Sequence, residues 1–192
     1  MDKILFVHGL ASSGAYKLSD TLRILLKGVT VIAPDVPIDP DEALALLGEI
    51  CSRERPELVV GLSWGGFLTQ QIRGVRKALI NPDFAISRML QGMVGEVKYL
   101  SPRKDGALSF TVTPKLCRRY QEMETLQFDG IDAAERERTL GFFAREDELV
   151  HCQPLFEEHY PGRSIAYPGG HLPTFPEMKK SVLPALLAFC HE

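Results

Sequence analysis

The 192-residue chain has no run of about 18 apolar residues, so nothing in it reads as a membrane span. Met1-Asp2-Lys3 leads straight into an apolar stretch that breaks at His8-Gly9, too short for the core of a signal peptide. Cysteine is sparse. Cys51, Cys117, Cys152 and Cys190 are scattered, without a CxxC pair or the spacing of metal ligands, in a chain too large to need disulfide staples. Reduced thiols, a cytoplasmic setting and no metal are therefore expected. Basic clusters are also missing: the densest are Arg73 to Lys77 and Arg118-Arg119, and the net charge is −3. That distribution carries no nucleic-acid footprint. Repeats, low-complexity tracts and Pro/Ser-rich linkers are absent, and 16 Gly and 13 Pro are near average usage.

What remains is 45% hydrophobic and 24% charged, enough for one globular domain with a sizeable core spanning 1–192. Apolar runs of strand length alternate with segments of helical period. The strand candidates are Ile4 to Val7, Thr30 to Ala33, Leu58 to Gly61, Lys77 to Ile80, Leu140 to Ala144 and Ser164 to Tyr167. Their continuous apolar character suits a parallel sheet buried on both faces. Helical stretches fall at Ala15 to Leu26, Asp41 to Arg53, Trp64 to Gly74, Cys152 to His159 and Glu177 to Cys190. Capping signals support them at Asp39-Pro40 and at Thr174 with Glu177 three residues on. This βαβα order predicts a three-layer α/β fold: a mostly parallel sheet of about six strands with helices on both faces. The alternation breaks between roughly 83 and 137. There Phe84 to Leu100 and Lys115 to Phe128 read as helices and Ala107 to Val112 as a short extended segment, together a cap-like insertion over the carboxyl edge of the sheet.

The strongest local signal is Gly61-Leu62-Ser63-Trp64-Gly65, where a strand meets a helix. A nucleophile displayed on so sharp a turn needs glycines two residues to either side, because neighbouring backbone passes too close for a Cβ. Ten serines and 16 glycines predict roughly 0.07 chance matches. The bland alternative is a serine capping a helix after a glycine-rich turn.

A serine hydroxyl needs a base and a group to orient that base. With the chain order serine, acid, histidine, four histidines follow Ser63. His159 lies in a helix, His191 at the C-terminus, and His151 close behind the acidic loop. His171 alone sits in a glycine-rich turn after a strand and is the expected general base, against a solvated loop histidine. The acid belongs to Glu146-Asp147-Glu148 after the preceding strand, and Asp147 is favoured for its short side chain; an acidic turn that merely caps a helix is the alternative. Backbone N–H groups of Trp64 and Leu10 are the expected oxyanion donors. The substrate pocket is expected to involve His8, Gly9, Trp64, Phe84, Met89 and Met93, although core packing explains the last three equally well and His8 reads as a turn residue rather than a second base.

ILFVHGLASS at Ile4 to Ser13, GLSWGG at Gly61 to Gly66, Asn81-Pro82, Asp147-Glu148 and Gly169-Gly170 before His171 together resemble the α/β-hydrolase superfamily, and within it the small YqiA/YcfP-like group of esterase-like proteins. That resemblance implies a carboxylesterase with Ser63, Asp147 and His171 as triad, Leu10 and Trp64 as oxyanion donors, no cofactor, and a small acyl ester or thioester as substrate. The competing class is a non-catalytic scaffold of the same fold used for ligand or protein binding.

Overall fold

Six of the eight strands among the described residues form one all-parallel sheet in the order β2 (Thr30–Ile32), β1 (Lys3–Val7), β3 (Leu58–Leu62), β4 (Lys77–Ile80), β7 (Thr139–Ala144) and β8 (Ser164–Tyr167). These observations come from a computed structural model that describes residues 1–191. Successive side chains of a strand point to opposite faces, so each central strand feeds two cores. Leu5, Val7, Val59, Leu79 and Phe143 pack on one side under α2 (Pro40–Glu54) and α3 (Trp64–Gln71). Ile4, Phe6, Leu58, Val60, Ala78 and Phe142 pack on the other, under α1 (Lys17–Leu25) and the C-terminal helix. The latter begins as a short turn at Phe175–Glu177, widens at Met178–Val182 and continues to His191.

The expected caps are present. Asp39 accepts hydrogen bonds from the backbone N–H groups of Asp41 and Glu42 at 3.0 and 3.2 Å, and Glu177 accepts from the N–H of Thr174 at 2.6 Å. Helix α3 stops at Gln71 rather than reaching Gly74, which takes a positive φ of 76°. At the amino edge of the sheet, Lys77 is buried and its ammonium meets Glu135 at 2.6 Å and the carbonyl of Ile72 at 2.7 Å.

The insertion departs most from the sequence reading. Phe84 to Leu100 is not one helix: α4 covers only Ile86–Gln91, and Gly95–Lys98 (β5) pairs antiparallel with Ser109–Val112 (β6). Gly95 supplies the reason. Its φ of 126° is accessible to glycine and ends any helical path. The alternating burial of the following Glu96, Val97 and Lys98 suits a strand with one face covered. Helix α5 (Pro114–Leu126) agrees with expectation, whereas the short α6 (Ala133–Glu137) has no periodic signal long enough to announce it.

The loop joining β5 to β6 is tied to the β1–α1 loop. The N–H of Leu100 donates to the carbonyl of Ala11 at 2.7 Å, and the hydroxyl of Ser101 lies 3.2 Å from that of Ser12 and 3.0 Å from that of Ser13. Asp35 accepts from the N–H groups of both Gly14 and Lys104, at 2.8 and 2.6 Å. Arg103 lies against the Tyr99 ring and donates to the carbonyls of Ser12 and Val36.

Candidate active site

Ser63 sits between β3 and α3 with φ 54° and ψ −118°, a conformation non-glycine residues rarely adopt. Close packing enforces it. A Cβ at Gly61 would lie 2.4 Å from Thr69 Oγ1, and one at Gly65 would lie 2.3 Å from the carbonyl oxygen of Val7. The two flanking glycines let the turn nest against its own helix and against β1.

His171 and Asp147 reach this turn from the ends of two further strands. His171 Nε2 lies 2.9 Å from Ser63 Oγ, and its Nδ1 lies 2.8 Å from Asp147 Oδ2. An ionised carboxylate only accepts, so Nδ1 carries the proton and Nε2 is free to accept from the serine hydroxyl. The other oxygen of Asp147 accepts from the N–H groups of Leu149 and Val150, at 2.9 and 3.0 Å, which fixes the carboxylate against rotation. Ser63 and Asp147 are buried, and the His171 side chain is 11% exposed. A hydroxyl, an imidazole and a carboxylate linked in this order can pass the serine proton to nitrogen.

Two residues that sequence reasoning gave no role complete the arrangement. Asn81 is buried at the end of β4 with φ 44°. Its amide donates to the Tyr167 hydroxyl and to the carbonyl of His171, both at 2.8 Å, and its Oδ1 accepts from the N–H of Ala144 at 2.8 Å. The turn bearing the histidine is thus fastened to the strand preceding the acid. Asp83 is also buried, its N–H donating to the carbonyl of Ser63 at 3.2 Å. Burial pushes its carboxyl above the ordinary range, opposed by the N–H of Ala85 and by His171. Asn81-Pro82 after a strand was the only signal available for either.

The β1–α1 loop passes beside the serine: a Cβ at Gly9 would lie 3.7 Å from Ser63 Cβ. Trp64 opens α3, where an N–H has no partner within the helix. Leu10 borders a cleft of about 260 Å³ that also exposes Ser63 and His171. Gly9, Met89 and Met93 line it, and so do Leu100, Leu149 and Leu172, which were not anticipated. Three expected lining residues do not. The Trp64 indole turns into the core and donates to the Tyr120 hydroxyl at 2.8 Å; Phe84 stacks on Phe156 at 6.4 Å between ring centroids. His8 is 1% exposed: Nδ1 donates to the carbonyl of Gly9 at 2.8 Å and Nε2 accepts from the N–H of Val36 at 3.0 Å. Burial lowers its pKa to about 4, so it holds the loop as a neutral ring. Larger clefts near Tyr99 to Leu108 and around Arg76 and Arg138 include none of these three groups. No group of three or more His, Cys, Asp or Glu among the described residues is arranged to hold a metal ion.

The alpha/beta hydrolase family pattern matches residues 4–183, and the chain belongs to that family. Solved structures share the fold at low identity. They include a pyrethroid hydrolase from Sphingobium faniae (17% identical, 99% of this chain and 97% of that one, TM-score 0.60) and a methylesterase from Arabidopsis (16%, 98% of each, 0.61). The esterase domain of a Rhodothermus marinus protein aligns over 96% of this chain and 85% of its own, at 19% identity and a TM-score of 0.62. No curated protein matches in sequence. Membership of the alpha/beta hydrolase family supports hydrolysis as the class of activity.

Proposed function

We propose that the chain is a serine carboxylesterase acting on a small acyl ester or thioester through an acyl-enzyme. The observation that carries this reading is the continuous hydrogen-bonded series Ser63, His171, Asp147 opening on a cleft. His171 removes the Ser63 proton as Oγ attacks the carbonyl carbon, and the N–H groups of Trp64 and Leu10 hold the oxygen as it gains charge. The imidazolium, held in orientation by Asp147, gives its proton to the leaving alcohol or thiol. Water, deprotonated by the same imidazole, then attacks the acyl carbon and releases the acid with Ser63 restored.

The reading takes the chain as one domain with 83–137 as its cap. The motifs also favour the YqiA/YcfP-like group, and the four free cysteines suit a cytoplasmic setting. No helix among the described residues is long and apolar enough to cross a membrane.

The test is labelling with a fluorophosphonate probe, comparing the parent with Ser63→Ala and His171→Ala. Stoichiometric labelling of the parent, lost in both variants, is expected. A folded parent that stays unlabelled refutes an activated serine and leaves a binding scaffold as the better account.

A further inference from the structure

The wall of the cleft beside Ser63 bounds the chemistry of what it can hold. Met89, Met93, Leu100, Leu149 and Leu172 are part of it, and no Asp, Glu, Lys or Arg among the described residues lines it. Its titratable groups are His171 and the Tyr16 phenol. A charged chain entering here would lose hydration without gaining a partner. Leu100, Leu149 and Leu172 are 82%, 67% and 53% exposed, so the apolar wall continues out to the mouth. Leu149 follows Asp147 by two positions and Leu172 follows His171 directly, so the strand-end loops carrying these polar groups also supply the apolar rim. Methionine at two positions gives a wall that adapts to a flexible chain.

Volume sets the length. An apolar cavity of about 150 Å³ admits benzene, with six heavy atoms, so the roughly 260 Å³ here admits about ten. The ester carbon and its two oxygens occupy the end at Ser63. We infer that the substrate ester carries an uncharged, unbranched apolar chain of about six to eight carbons, seated on Met89, Met93 and Leu100. The inference rests on the serine-esterase reading above.

Two series test it on full-length protein titrated with the fluorophosphonate probe. Methyl esters from acetate to decanoate and alkyl acetates from methyl to decyl are followed by proton release. In one series kcat/KM is expected to rise about two- to fourfold per methylene and to peak near six to eight carbons. A peak in the methyl esters puts the chain on the acyl side, a peak in the acetates on the alcohol side, and either supports the inference. Monomethyl suberate, carrying a terminal carboxylate, is expected to react at least about tenfold more slowly than methyl octanoate. Met93→Trp, which fills the cleft, moves the peak to four carbons or fewer, and Leu100→Lys narrows the penalty on the suberate ester. Fully labelled protein with flat profiles, with a maximum at the shortest ester of both series, or with equal rates for the charged and neutral esters overturns this inference alone. Absence of labelling removes the serine reading and this inference with it.

Discussion

Asn81→Ala puts the support beneath His171 to a quantitative test. The side chain makes hydrogen bonds to Tyr167, His171 and Ala144 from a buried site, and its backbone has φ 44°. Losing three buried hydrogen bonds at about 1 kcal/mol each, and holding alanine in a left-handed conformation at about 1 kcal/mol more, destabilises the fold by about 3 to 5 kcal/mol. With an m-value of about 2 kcal/mol/M, the urea midpoint falls by roughly 2 M. Asn81→Gly loses the same bonds without the conformational penalty and is expected to be about 1 kcal/mol more stable than the alanine variant. The consequence for chemistry is separate. The His171 carbonyl is released, and a shift of the ring by about 1 Å slows fluorophosphonate labelling about a hundredfold. A stability loss under about 1 kcal/mol with an unchanged labelling rate refutes the strap; equal stability of the alanine and glycine variants refutes the strain.

The ion pair of Lys77 and Glu135 offers a second test. Lys77→Met strands a carboxylate in a nearly closed site and is expected to cost about 3 to 5 kcal/mol, most of it recovered in the double variant with Glu135→Leu; chemical denaturation of the parent and the two variants checks this. His8 predicts a pH dependence. Its folded pKa of about 4 lies below the ordinary 6.5, so the unfolded chain binds the extra proton first as pH falls. The stability it contributes is complete above pH 6.5 and declines toward pH 4 by about 3 kcal/mol. Urea midpoints across that window are expected to slope downward with acid in the parent and to flatten in His8→Asn.

The legible parts of the molecule are those whose constraints are local. Apart from a polar or charged first residue in five of them, the six sheet strands are apolar, and Gly61 and Gly65 announce a backbone approach that a Cβ forbids. Chain order then narrowed the partners of Ser63 to groups on strand-end loops, and the structure brings His171 and Asp147 within hydrogen-bonding distance. The insertion was harder to read because one glycine, Gly95, ends the helical path with its φ of 126° and opens a strand whose partner at that position, Val112, is seventeen residues away. Pocket lining was illegible for a related reason. Whether Trp64 faces a cleft or the core is settled by the Tyr120 hydroxyl, which is 56 residues distant. Asn81 was given no role because its partners lie on two distant segments, the end of β7 and the end of β8 with the turn after it, and no spacing in the sequence links them to it.

The seam between the β5–β6 loop and the β1–α1 loop divides that connection mechanically. Leu100 and Ser101 are bonded to Ala11, Ser12 and Ser13, and Asp35 bridges Gly14 to Lys104. Any swing of residues 100–104 drags with it the backbone that flanks Ser63, so motion there would dismantle the site it uncovers. Freedom is left to the stretch between Asp105 and Leu108, which overhangs without such ties to the first loop. Length changes are therefore tolerated at that overhang, whereas a single residue added within 100–104 shifts the loop bearing Leu10 and alters turnover before it alters access.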